Sequence, residues 1–395
     1  MTLNSQSVSG FNYMAGIVVA LVTAVSLPLG GLCNCIFLTI PFTAVLKLPI
    51  ETFSFITLIQ LLFIIRFLAA NIHCLNYSIG IVLCGLLTQL FSMVFYNQSV
   101  SNLILLSSNL LTFYYTFLLF KDYKLNINHA YLAFSVGVIL AGLIALSYGI
   151  HVAEMQDYRF CGLWTDPNFW GMFCLIGIVT CLLNGFRRPG LFVILIPMII
   201  TLAYLGFLTL SRTFVVVSLL TVLITSGTYL KKSRIGSFVV IIVLLVAVYL
   251  AWPYAEIIFS ERGFDENNMT NNRFDNTIMI FDFVKEHIEV ILFGWGYNNT
   301  LNVLGDNSFG HGATHNTYAD LFLDFGVLNL LIAFIALIKH SYIVRKIFSH
   351  LFSLPGIVFC ILLFYMGTLS MTKYVLLYLF AGAYIGTALK LQLRK

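Results

Sequence analysis

The chain has 395 residues, of which 60% are hydrophobic, 15% aromatic and only 9% charged, with a formal net charge of +5. Soluble domains carry about 25% charge. So few charges cannot clothe a water-facing surface, which excludes soluble enzymes and gives no reason to expect a nucleic-acid partner.

Many apolar runs reach about 17–23 residues, long enough to cross a hydrocarbon core roughly 30 Å thick as helices. Strands of a barrel would alternate apolar and polar residues, and these runs do not. The expectation is an all-α polytopic membrane protein, a bundle of about 12–13 transmembrane helices. Residues 1–395 read as a single integral membrane domain. One long external loop, 253–315, lies within it.

In chain order, the first charge is Lys47. Without a basic leading segment, the apolar run at 13–29 reads as a retained helix rather than a cleaved signal. Further spans fall near 32–46, 53–70, 77–96, 101–120, 130–150, 167–184, 190–210, 213–230, 236–252, 316–338, 354–371 and 373–389. The eight cysteines lie mostly inside these runs, where Cys acts as a small hydrophobe. Cys33-x-Cys35 lacks zinc-site partners, so neither a metal, a cofactor nor a disulfide framework is expected.

Basic residues fall in alternate connections: Lys121 and Lys124, Arg187 and Arg188, Lys231 to Arg234, Lys339 to Lys346, and Arg394 with Lys395. These connections are assigned to the cytoplasm. The opposite face then holds the 151–166 connection, the Ser211-Arg212 corner and the acid-rich 253–315 loop. Arg66, near the cytoplasmic end of its span, reads as a snorkelling residue.

The first outer feature is "FCGLWTDPNFWGMF" (160–173). Asp166 suits the cap of the next helix and Pro167 its first position. Asn168 and Trp170 beside the outer mouth are not explained by capping, although Trp at an interface is ordinary.

Next, "LTLSRTFVVV" places Arg212 between two apolar spans, where the positive-inside bias disfavours it. Boundary charges of this kind tend to face a cavity and serve function. A snorkelling guanidinium is the plain alternative.

Within the long loop, Ile278, Phe281, Val284, Ile288 and Ile291 recur at spacings of three and four, with Asp282, Lys285, Glu286 and Glu289 between them. That is an amphipathic helix suited to the membrane interface. Asn272 would cap it and Gly294-Trp295-Gly296 would end it. Arg273 falls in its first turn, where a cation opposes the helix dipole. A bound anion resolves that conflict, and helix N-termini favour phosphate. A solvated loop arginine is the alternative. Guanidinium suits multidentate phosphate recognition, so Arg212 and Arg273 on separate elements could clamp a diphosphate. Arg159, Arg262 and Lys373 are weaker members of the same outer set.

The last feature is "SFGHGATHNTYADLFLDFGVL" (308–328). His315 opens an apolar helical run and is the general-base candidate, because imidazole titrates near pH 6.5. A capping or packing histidine is the alternative. His311 four residues earlier invites a zinc reading, but the flanking glycines oppose a shared helix face and no Glu follows His311. Asn316, Asp320 and Asp324 share one helix face. Acids at depth usually face the protein interior. They support the site, pair with an outer arginine, or line a proton or cation path.

Taken in order, "GLWTDPNFWG", "LTLSRTFVVV", "NNRFDNTIMIF", "FGWGYNN" and "HNTYADLFLDFGVLNLLIAF" resemble the O-antigen polymerase and O-antigen ligase superfamily of bacterial cell envelopes. The closest stretch is about 205–340, with an anchor at 162–171. The resemblance implies a metal-independent glycosyltransferase of the cytoplasmic (inner) membrane, its site facing the periplasm or exterior. The implied donor is a glycan on undecaprenyl diphosphate, and a chain-length regulator is an admissible partner. Carried over, Arg212 and Arg273 bind the diphosphate, and His315 activates or positions the acceptor hydroxyl. Asn316, Asp166, Asn168, Trp295, Tyr318 and Asp320 are the expected substrate-binding residues. A polymerase adds another lipid-linked repeat unit, whereas a ligase uses the lipid A-core. The Asp-Pro-Asn stretch favours the polymerase. A secondary transporter or lipid flippase using Asp320 and Asp324 is the rival of a different class.

Overall fold

A computed structural model describes residues 27–43, 55–70, 86, 89–90, 100–122, 125–148, 159–164, 166–229, 273–299, 303, 315–339, 345 and 348–390. The expected spans near 13–29 and 236–252, most of 77–96, the Asn272 cap, Arg262 and His311 lie outside these residues.

Among the described residues the regular elements are helical. They are α1 (Leu29–Thr39), α2 (Phe55–Ala70), α3 (Val100–Asp122), α4 (Ile127–Ser147), α5 (Pro167–Arg187), α6 (Phe192–Phe207), α7 (Arg212–Tyr229), α8 (Arg273–Glu286), α9 (Ile288–Phe293), α10 (Thr317–Lys339), α11 (Leu354–Met366) and α12 (Val375–Lys390), with short 3-10 turns at Ile40–Phe42 and Pro189–Leu191. Among the described residues, four segments are long and apolar enough to cross a membrane: Val100–Lys121, Ile127–Ser147, Pro167–Arg187 and Pro189–Phe207. The protein is an all-α polytopic membrane protein.

The chain divides into two compact units. The first is Met1–Phe67, Lys124–Arg262 and Phe352–Ile361. Its centre is α5, buried from Pro167 through Gly185, with α4, α6 and α7 around it and α1 on α4. The start of α5 is local chemistry. Asp166 is extended (φ −116, ψ 120), its carboxylate accepts the Asn168 N–H at 2.7 Å, and Pro167 supplies the first helical position. Such a cap is worth about 1 kcal/mol. Ahead of it, Trp164 stacks on Phe169 at 5.0 Å and meets Phe173 edge-on at 4.9 Å. Trp170, expected near the interface, is fully buried in the same aromatic cluster. Arg66 does not simply snorkel: its guanidinium donates to the carbonyl of Leu27.

The second unit is Leu68–Tyr123, Gly263–Leu351 and Leu362–Lys395. Here α12 lies on α3. A Cβ at Gly382 would come within 2.6 Å of the Phe113 carbonyl, and one at Gly386 within 2.4 Å of the Phe117 carbonyl. The spacing is the small-xxx-small device that lets membrane helices meet backbone to backbone.

The amphipathic helix expected in the loop is two helices. His287 leaves helical geometry (φ −123, ψ 72), separating α8 from α9. The buried face is not the whole expected stripe. Ile280, Val284 and Val290 close on Leu323 of α10, while Ile278, Phe281 and Ile288 stay exposed. Packing against α10 selects one apolar face, and the other remains outward, as suits an interfacial helix.

The α10 run is also interrupted. Gly326 has φ 66 and ψ 173, a conformation essentially confined to glycine. The break frees carbonyls that the Gly294-Trp295-Gly296 turn satisfies. Trp295 N–H donates to Leu323 O at 2.6 Å and Gly296 N–H to Asp324 O at 3.2 Å. Gly294 (φ 79, ψ 165) lies so close that a Cβ on Gly326 would sit 2.4 Å from its nitrogen.

Candidate functional site

In the first unit, the polar residues gather where α5 and α7 begin. Ser211 joins a tight turn to α7 and is 1% exposed. Its hydroxyl donates to Asn168 Oδ1 at 2.7 Å and accepts the Phe214 N–H at 3.2 Å, so it is the N-cap of α7. Arg212 is therefore the first helical residue. A cation there opposes the helix dipole, the same conflict that the sequence placed at Arg273. The turn is held from behind. Arg159, buried, donates from Nε to Thr209 O at 2.9 Å, and Phe160 N–H to Leu208 O at 3.0 Å. Burial and the Asp166 charge push the Cys161 thiol up to about 12, against its own backbone hydrogen bond and Arg159. It stays protonated at neutral pH and is no nucleophile. Asp166 thus spends a carboxylate oxygen on capping, and Asn168 spends its amide oxygen on Ser211.

In the second unit lie Arg273, Trp295, His315, Asn316, Tyr318 and Asp320. Arg273 is the first residue of α8, as expected. Asn316 does not continue the α10 face. It precedes the helix and caps it, accepting from the N–H groups of Tyr318 at 3.1 Å and Ala319 at 3.4 Å. The Thr317 hydroxyl donates to Leu369 O and accepts the Met371 N–H, tying the helix start to the turn before α12. Tyr318 is exposed, its hydroxyl on Leu363 O at 2.8 Å. Asp320 and Asp324 are buried, and Lys373 lies within electrostatic reach of both. Trp295 packs edge-on against Phe283 at 4.9 Å.

Gln89 is a residue the sequence did not single out. It donates to the carbonyl of Asp324 at 3.2 Å and accepts the Tyr297 N–H at 2.7 Å. Tyr297 Oη donates in turn to Thr372 O at 2.6 Å and receives Asn109 Nδ2 at 3.0 Å. These partners lie too far apart in sequence to be read from spacing. Ser211, by contrast, has the signature of a cap, a serine directly before an apolar run.

Strain marks the same places. Among the described residues, the non-glycine positive φ values belong to Leu210 (48), Asn298 (57) and His315 (52). Each costs of order 1–3 kcal/mol, and such residues cluster at functional sites. One falls in "LTLSRT", one in "FGWGYNN" and one in "HNTYAD". Among the described residues, no three of His, Cys, Asp and Glu gather as a metal site would require.

Residues 196–334 match the model of a family described as O-antigen ligase. The match runs from α6 into α10 and includes Arg212, Arg273, Trp295, His315, Asn316, Tyr318 and Asp320, but not Asp166 or Asn168. No curated protein matches the chain. Over this stretch, residues 196–334, the chain is similar to the O-antigen ligase/polymerase superfamily of membrane glycan-handling proteins.

Proposed function

We propose that this protein is a polymerase that joins polyprenyl-diphosphate-linked oligosaccharide repeat units, most simply on undecaprenyl diphosphate, at the outer face of the cytoplasmic membrane. The observation that carries the reading is the coincidence of strain with motif. Three non-glycine residues in the left-handed region stand in three segments of the family stretch.

The chemistry follows from the residue types. Arg212 and Arg273 bind the donor diphosphate and stabilise the charge that grows on the leaving phosphate as the C1–O bond breaks. His315, neutral, accepts the proton of the attacking hydroxyl. The new bond forms with inversion at C1. No step calls on a metal. Trp295, Tyr318, Asn316 and Asp320 are assigned to supporting or contacting the substrate. Asp166 is assigned to the support of α5.

A ligase acting on the lipid A-core is the second reading, favoured by the description of the matched family. Purified protein given a lipid-diphosphate oligosaccharide, with and without core acceptor, decides between them. A ladder without core acceptor is expected. A single transfer that needs the core acceptor would replace polymerase by ligase, and transport without any glycan product would remove both.

A further inference from the structure

We propose that Asn168 is a positioning residue for Arg212, acting through Ser211, rather than a contact for sugar. The inference rests on the reading of Arg212 as a diphosphate ligand and deepens it.

The direction of the Arg212 side chain depends on where α7 starts, because Arg212 is its first residue. The residue before it, Ser211, follows Leu210, whose φ of 48 turns the chain. A hydroxyl has one proton to give. At Ser211 that proton goes to Asn168 Oδ1, and the lone-pair side takes the Phe214 N–H. Both sides of the hydroxyl are thus committed, and its rotamer is set. Asn168 is itself fixed. Its N–H is held by the Asp166 carboxylate, it is the second residue of the most buried helix, and only 7% of its surface is exposed. The relay Asp166–Asn168–Ser211 therefore ties the start of α7 to the start of α5, one residue from the guanidinium.

Packing alone does not need an asparagine here. Further down the same helix pair, the α5–α7 contact is made by Gly171 against the Phe214 side chain, where an added Cβ would stand 3.1 Å from Phe214 Cβ. A polar side chain in a membrane helix is retained where it finds a partner across the interface, and this one finds the residue beside Arg212. One acceptor position of its amide oxygen is already taken by Ser211.

The test uses the full chain in detergent and farnesyl diphosphate as the probe of diphosphate affinity. Asn168→Ala and Ser211→Ala are made alone, together, and each with Arg212→Lys; Ser211→Thr keeps the hydroxyl. Asn168→Ala and Ser211→Ala should each weaken binding about tenfold, the scale of one lost charge-assisted contact. The pair should lose no more than either single variant, and Ser211→Thr should keep wild-type affinity. With Arg212→Lys in place, Asn168→Ala should change affinity by less than about twofold, since the effect passes through the guanidinium. A general structural defect would cost the same in both backgrounds, and that outcome overturns the proposal. Wild-type affinity in Asn168→Ala overturns it as well. Should Asn168→Ala not fold, Ser211→Ala in the two backgrounds decides alone. Wild-type affinity in Arg212→Lys is a different failure, because it removes the reading of Arg212 on which the relay depends.

Discussion

Gly326→Ala tests a place where two backbones cross with no room for a side chain. The added methyl would stand 2.4 Å from the nitrogen of Gly294 and 2.7 Å from the carbonyl of Leu292. Neither is the end of a flexible side chain, so the 294–296 turn must move off α10. Moving it breaks two hydrogen bonds, Trp295 N–H to Leu323 O and Gly296 N–H to Asp324 O. Each buried group left unpaired costs about 1–3 kcal/mol. Alanine at φ 66 and ψ 173 adds about 1–3 kcal/mol of backbone strain. Even the low end, about 3 kcal/mol, is a large share of a stability that is typically about 5–15 kcal/mol. Gly190→Ala is the control, since a Cβ there meets nothing within 4 Å. Thermal unfolding in detergent, followed by intrinsic tryptophan fluorescence, should show a lowered midpoint for Gly326→Ala and none for Gly190→Ala. Because Trp295 packs on Phe283 beside the crossing, its emission should also change in the folded variant. Equal midpoints for the two variants would refute the account of the broken helix.

Three other outcomes follow from the site. Arg212→Lys and Arg273→Lys keep charge but lose the planar fork, so each should lose most transfer activity while inserting normally; full activity in both would reduce them to interface anchors. His315→Ala should slow transfer by about 10²–10⁴-fold. Wild-type activity should fall with pH below the imidazole pKa, because the protonated ring cannot accept a proton, and the variant should lack that limb. His311→Ala should do far less; equal loss at both histidines together with chelator sensitivity would restore the zinc reading. The basic-residue count leads to the expectation that 253–315 lies outside, so on a background freed of native cysteines an impermeant thiol reagent should label Asn298→Cys but not Ser349→Cys on intact cells, and the reverse pattern would invert the topology.

The membrane class and most helix positions were legible because apolar length is a local property. The expected span 167–184 is the buried α5, and the cap at Asp166 with Pro167 behind it is where the residues pointed. What spacing could not give was the partner of each polar group. Gly326 lies in an apolar run that sequence alone continues as helix. It breaks because the glycine turn at 294–296 supplies donors from more than a span away. Likewise Asn316 reads as one member of a face with Asp320 and Asp324, yet its oxygen is taken by the first free N–H groups of α10. The loop stripe misled for a related reason. Periodicity shows that a helix has apolar faces, and only the neighbour decides which one is covered.

The close seating of α12 on α3 sets a schedule for synthesis. The two glycines that meet Phe113 and Phe117 leave the ribosome roughly 270 residues after them, which at roughly 5–20 residues per second is a delay of tens of seconds. Asn109 on α3 donates its amide N–H groups to Tyr297 Oη and to the carbonyl of Lys373, both made late in that interval. During it α3 sits in lipid with a polar group that its final neighbours have yet to reach. Assembly of this unit is therefore tied to the emergence of α12, and the bilayer must hold α3 unfinished until then.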